Sequence, residues 1–277
     1  MAPAQTPRIK STDQDHEQEG NPADSCNKSD SSINTAPTLL MKRLLPILLL
    51  FGLLLAQRTQ AAPAPVAGEY VLLVGGPSLM QWEKYKGPQA HDHWWANFVR
   101  AARVRTEQIR AAAGPDAKIT WLVYKQGYID RAQQDKQDLI ALIGTIRDKY
   151  NLNLVYFHNG DDVINYLNSG QPRDTFKIAD FEYFGHSNAK CFMFDYSSNI
   201  ESACKSWLHE NDAKKINGRV FARNAFIKSY GCHTGESMSQ KWRAATGTQM
   251  WGVVGKTQYM TNELPMIVGK DAKWVSR

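Results

Sequence analysis

From residue 70 onward the apolar residues fall into two alternating patterns, short unbroken runs and stripes of helical spacing. Tyr70, Val71, Leu72, Leu73 and Val74 make a run closed by Gly75-Gly76-Pro77, which predicts a strand buried on both faces and then a turn. A loop with Trp82 and His91-Asp92-His93 follows. Trp95, Phe98, Ala102, Ile109 and Ala113 then recur at near-helical spacing until Gly114-Pro115 stops them. Residues 119–124 predict a second strand. Leu139, Leu142, Ile143, Ile146 and Tyr150 stand at i, i+3, i+4, i+7 and i+11, the clearest helical stripe in the sequence.

The alternation continues to the end of the chain. Residues 152–158 read as a strand, and Gly160-Asp161-Asp162 opens a short helix over 163–168 whose N-terminus suits those carboxylates. Residues 181–184 run into Gly185-His186-Ser187, and residues 225–230 run into Gly231-Cys232-His233-Thr234-Gly235. A helix with Met238, Trp242 and Ala245 on one side ends at Gly247, and residues 250–254 form a last strand. Strands alternating with helices imply right-handed crossovers and a mainly parallel sheet covered on both faces. The expected fold is therefore α/β, a three-layer sandwich in one domain over 70–277. Ligands of such sheets bind at the carboxyl ends of the strands, where residues 75–93, residues 159–162, His186 and Cys232 all fall.

The first 69 residues differ in character. Residues 1–40 hold three basic residues, six acidic ones and almost nothing large and apolar, the composition of a disordered extension; it is left untranslated if synthesis starts at Met41. Residues 41–61 join Lys42-Arg43, an apolar run over 44–56 and a small-residue site at 59–61, the layout of a secretory signal peptide. The alternative is a signal-anchor helix, but the run falls short of the roughly 20 residues that span a bilayer. A Pro/Ala linker occupies 62–69. The mature protein is expected to begin near Ala62, to be secreted or periplasmic, and to keep no stable membrane association.

With 43% hydrophobic and 22% charged residues in 277, a sizeable core is within reach. Beyond residue 61 there are 27 Lys and Arg against 21 Asp and Glu, a net charge of +6, which bears on solubility and weak anion attraction. No Lys/Arg-rich run interleaved with aromatics and no zinc-finger spacing occurs, so no nucleic-acid partner is expected. Three cysteines remain, Cys191, Cys204 and Cys232, and an odd count in an oxidising compartment leaves at least one thiol free or paired between chains. Cys191 and Cys204 are candidates for a disulfide across a short loop, which would leave Cys232 as the free thiol.

A thiol becomes a useful nucleophile when a neighbouring imidazole or a helix N-terminus favours its thiolate. Cys232 lies just after one expected strand and shortly before an expected helix, and His186 follows another strand. If those strands are neighbours, about 5 Å apart, their end loops bring imidazole and sulfur within reach, with glycines at 185, 231 and 235 giving the backbone room. Tyr183-Phe184-Gly185-His186 and Lys228-Ser229-Tyr230-Gly231-Cys232, in that order over about 70–254, resemble the histidine and cysteine motifs of the caspase-like cysteine peptidases, the group of caspases, legumain and gingipains. The resemblance implies a caspase-like fold, His186 in proton transfer, Cys232 as nucleophile, and backbone N–H groups about Gly185, Ser187, Gly231 and Cys232 as oxyanion donors. It further implies an endopeptidase that cleaves peptide or protein substrates through an acyl-enzyme and needs no cofactor. Two positions depart from the pattern: the family usually has Gly where Ser187 follows the histidine, and often Ala where Gly231 precedes the cysteine. Along the cleft Asp92, Asp161 or Asp162 would favour a basic substrate side chain, and Lys125 or Lys256 an acidic one.

Other chemistries stay open at this level. Gly185-His186-Ser187-Asn188-Ala189 also resembles the nucleophile elbow of α/β-hydrolases, with Ser187 as nucleophile, although an elbow leads straight into a helix and the aromatic residues at 191–196 predict strand or loop. His91, Asp92 and His93 with His158, Asp161 and Asp162 are metal-ligand types that complete no recognised spacing, so no metal is expected. His233 is an alternative base beside Cys232. A buried structural cysteine and a strand-end histidine would make the chain a non-catalytic binding protein on the same fold.

Overall fold

In a computed structural model, which describes residues 67–78, 94–199, 202–259 and 262–277, the first apolar run is strand β1 (Glu69–Val74), buried along its whole length. Parallel to it on either side lie β2 (Lys118–Tyr124) and β4 (Ile178–Phe184). β3 (Asn153–Phe157) extends the sheet from β2, and β10 (Phe221–Ser229) and then β11 (Met250–Gln258) extend it from β4, all parallel. An antiparallel edge strand, β12 (Met266–Ser276), closes the order β12-β11-β10-β4-β1-β2-β3. Central strands of such a sheet are apolar on both faces because both are covered.

Helices α1 (Asn97–Ala113), α2 (Lys125–Asp135) and α3 (Leu139–Tyr150) cover one face, where Leu72, Phe98, Ile109, Trp121, Tyr128 and Ile143 share a core. Helices α4 (Gly160–Ser169) and α5 (Met238–Thr246) cover the other, with Leu73, Val163, Phe181, Phe192 and Trp242 in a second core. A small antiparallel sheet of β5 (His186–Ser187), β6 (Cys191–Met193) and β9 (Trp207–His209) joins this second layer, beside a hairpin of β7 (Tyr196–Asn199) and β8 (Ser202–Cys204). The result is the expected three-layer α/β arrangement. No helix among the described residues is long and apolar enough to cross a membrane.

Two elements escape the periodicity argument. α2 starts at once after β2 and turns only Gly127, Tyr128 and Arg131 inward, so it has no apolar stripe to read. β12 has no fully buried residue, and its pairing with β11 is interrupted between Val268 and Lys273, as an edge strand can be. The short helix at 163–168 is longer than expected because a capping box starts it. Asn159 Oδ1 accepts the Asp162 N–H at 3.0 Å, and the Asp162 carboxylate accepts the N–H groups of His158 at 2.8 Å and Asn159 at 3.3 Å.

Buried polar groups pin the sheet's centre at two places. At the strands' N-terminal end Glu69 accepts hydrogen bonds from Thr120 Oγ1 at 2.5 Å and Tyr166 Oη at 2.6 Å and pairs with Arg173 at 2.6 Å. Further along β4, Asp180 and Glu182 point to one face, as alternate strand residues do, and Arg105 of α1 reaches both, Asp180 at 2.8 Å. Asp180 Oδ1 and Glu182 Oε2 are buried without a hydrogen-bond partner among the described residues. Burial, and then the Glu182 charge, hold the Asp180 carboxyl well above the usual aspartate range. Folding therefore draws a proton onto this site, and the stability it contributes is full below the unfolded value of about 3.9 and declines as pH rises towards the folded one. Asp180→Asn is expected to gain thermal stability relative to wild type as pH rises from about 4 to about 7. Melting curves of both proteins across that range check it; a difference independent of pH would mean that folding leaves the Asp180 pKa unshifted.

Candidate functional site

The register between β4 and β10 decides what meets at the rim. Tyr183 lies opposite Ser229, and the Tyr230 N–H donates to the Tyr183 carbonyl at 2.9 Å. His186 and Cys232 each stand three residues beyond that pair, so both leave the sheet at the same end and level. Gly185 is required where it stands because the Tyr183 ring folds back over it to donate its hydroxyl to the His186 carbonyl at 2.6 Å; a Cβ on Gly185 would lie 2.3 Å from that hydroxyl.

The imidazole of His186 sits in an aromatic slot. Phe98 meets it edge-on at 4.9 Å, and Tyr196 stacks on it at 4.4 Å with 25° between the planes. Nε2 is 2.9 Å from Ser78 Oγ, whose residue follows β1 and is itself fixed by Arg131, which donates to the Ser78 carbonyl at 2.8 Å. Asp195, the residue before Tyr196, is a half-buried carboxyl whose pKa is raised by that burial. The Cys232 sulfur has other company: it accepts the Thr257 N–H at 3.4 Å and lies 3.5 Å from Thr257 Oγ1. Among the hydrogen bonds of the described residues, none joins His186 to Cys232.

Of the expected oxyanion donors, two are already in use. The Gly185 N–H donates to Tyr259 Oη at 3.1 Å and the Gly231 N–H to Ser229 Oγ at 3.2 Å. Ser187 is different. Asn188 donates to the Cys191 carbonyl, so the next pair, Ser187 with Phe192, is of the non-hydrogen-bonded type and the Ser187 N–H points away from β6. The Ser187 hydroxyl donates to the Cys232 carbonyl at 2.6 Å, which ties the two loops together. Ser187 does not stand in the setting of a nucleophile elbow: its hydroxyl donates to a carbonyl, and a hairpin follows it instead of a helix.

The other expected site residues are not gathered here. Asp162 is committed to the α4 capping box, and Asp161 is an exposed partner of Lys215 at 3.0 Å; both follow β3, three strand spacings or about 14 Å from β4. Lys256 is exposed on β11, and strand alternation turns it away from the face where its neighbour Thr257 meets Cys232. Asp92, with His91 and His93, lies outside the described residues, as do residues 1–66 and therefore the signal segment. His233 adopts a left-handed backbone with φ 64° and gives its Nδ1 to Glu236 at 2.6 Å, a bond that holds the Glu236 carboxyl below its ordinary range. Cys191 is a free thiol, and the side chain of Cys204, its candidate disulfide partner, lies outside those described. Burial, with Glu210 and Asp212 nearby, pushes the Cys191 thiol up, which disfavours its thiolate.

Sequence reasoning missed Ser78, Tyr196, Thr257 and Tyr259. Only Ser78 left a trace, its place just past Gly75-Gly76-Pro77 at a strand's carboxyl end. No group of three or more His, Cys, Asp or Glu able to hold a metal occurs among the described residues. No family model, curated protein or solved structure matches the chain.

One steric coupling yields a test. A Cβ on Gly231 would lie 2.2 Å from Ser187 Oγ and 2.7 Å from its Cβ. Gly231→Ala is expected to destabilise the protein by about 1–3 kcal/mol, and adding Ser187→Gly should recover most of that loss although it also removes the bond to Cys232. Denaturant unfolding of the two single variants and the double variant reads the coupling; additive losses would show that the two positions do not compete for one space.

Proposed function

We propose that the chain is a cysteine-type hydrolase, an endopeptidase of the caspase-like kind, secreted or periplasmic, that cleaves peptide or protein substrates without a cofactor. The observation that carries the reading is the level emergence of His186 and Cys232 from neighbouring parallel strands, the pairing that the two sequence motifs imply. The steric coupling adds support: Ser187 and Gly231, the two departures from the family pattern, compensate each other, since the serine side chain fills the space an alanine before the cysteine would need.

The chemistry follows from the geometry. His186 Nε2 meets Ser78 Oγ at 2.9 Å, and the imidazole is the group that exchanges protons with thiol and substrate. On substrate binding the thiol turns from Thr257 and passes its proton to His186, and the thiolate attacks the scissile carbonyl carbon, forming a C–S bond as the carbonyl π electrons move onto oxygen. The tetrahedral oxyanion is met by the Ser187 and Cys232 N–H groups. His186 delivers a proton to the leaving amine as the C–N bond breaks, then takes one from the water that opens the thioester, and the thiol is restored. A binding protein on the same fold is the competing reading, favoured by the separate partners of ring and thiol.

Cys232→Ala is expected to abolish peptide hydrolysis while leaving the melting temperature within a few degrees of wild type. Alkylation by iodoacetamide, read by mass spectrometry, should label Cys232 well ahead of Cys191, and His186→Ala should slow labelling of Cys232 at pH 6 by about tenfold or more. Slow labelling of Cys232 that ignores His186 would remove the catalytic reading in favour of binding.

A further inference from the structure

We infer that Tyr259 is a positioning residue whose hydroxyl holds the ends of β4 and β10 apart and so sets the gap across which His186 and Cys232 face a substrate. The functional half rests on the hydrolase reading; the geometric half does not.

In a parallel ladder a residue donates its N–H to one residue of the neighbouring strand and accepts, through its carbonyl, from the residue two further along. Tyr230 makes the first of these bonds, to Tyr183 O at 2.9 Å. Its second partner would be the Gly185 N–H. The Tyr259 hydroxyl stands in that bond instead, accepting from Gly185 N at 3.1 Å and donating to Tyr230 O at 3.2 Å. A tetrahedral hydroxyl oxygen with two such arms spaces the flanking N and O about 5 Å apart, where a direct bond spans about 2.9 Å.

The wedge is firmly built. Tyr259 is buried, and burial pushes its phenol well above the usual tyrosine range, so it keeps the proton that donation to a carbonyl requires. Phe98 packs edge-on against both Tyr259, at 4.7 Å, and His186, at 4.9 Å. Thr257, two residues earlier, donates to the same Tyr230 carbonyl at 2.7 Å, so the end of β11 occupies the acceptor that β4 would otherwise use. The imidazole follows one residue after Gly185 and the thiol two residues after Tyr230. Acyl transfer needs a carbonyl carbon about 3–3.5 Å from the sulfur and a leaving nitrogen within about 3 Å of the ring, which is room that a ladder closed through Gly185 would not leave.

Tyr259→Phe keeps the ring and its packing and deletes only the hydroxyl. Two readouts test the inference. In isotope-labelled protein, the scalar coupling across a hydrogen bond from Gly185 N to the Tyr230 carbonyl carbon should be absent in wild type and present in Tyr259→Phe. In peptide hydrolysis, kcat should fall by about tenfold to a hundredfold with KM little changed, at a melting temperature close to wild type. A coupling already present in wild type, a variant that folds without gaining it, or a variant that gains it and keeps full kcat would each overturn the inference. Wild type that hydrolyses no peptide and leaves Cys232 unreactive would instead defeat the hydrolase reading, while the coupling still decides the wedge.

Discussion

Parallel pairing of β4 with β10 is the constraint on which the rest of the site depends. Two parallel neighbours in fixed register deliver whatever follows them to one rim at one height, whereas antiparallel neighbours would send the two continuations to opposite ends. The same pairing obliges the chain to travel back between the strands, and that return builds β5 to β9 and the 3-10 turns at Glu210–Lys215 and Gly218–Val220. The crossover is thus also the wall: Ser187, which grips the Cys232 loop, and Tyr196, which stacks on His186, both come from it.

A second constraint works from below. Arg105 docks α1 on Asp180 and Glu182, two carboxylates that burial would otherwise make costly. Phe98 lies seven residues earlier on the same helix, about 10 Å along its axis, and touches both His186 and Tyr259. An ion cluster in the core therefore fixes the height of an aromatic ring at the rim, and charge chemistry in the sheet is transmitted through a rigid helix into the packing around the imidazole.

Much of this was legible in the sequence, and the limits have physical causes. β1, β2, β4 and β10 announce themselves as apolar runs, α3 by its stripe, and His186 and Cys232 by Gly-flanked turns after strands. Their adjacency was a supposition that only pairing could supply. Helix α2 left no signal because a single apolar ring, Tyr128, docks it. Asp161 and Asp162 share a rim with His186 and Cys232 in the sheet's topology, yet periodicity says nothing of strand order, and β3 proved to be the far edge. Gly185 and Gly231 looked like open donors, but their N–H groups are taken by Tyr259 and Ser229, contacts that need either three dimensions or a two-residue side-chain return. Tyr259 is invisible by the same logic, since a hydroxyl that interrupts a ladder exists only once the ladder does.

The Glu69 cluster lies at the opposite end of the strands from His186 and Cys232. It ties β1, β2, α4 and the Arg173 turn with side-chain bonds that involve none of the rim loops. Anchorage and chemistry are thereby separated along the strand axis. Variation at the exposed rim residues His158, Lys205 and Trp207 would leave every bond of this anchor untouched, so the chain offers itself as a scaffold whose recognition surface can be rewritten while its keel stays intact.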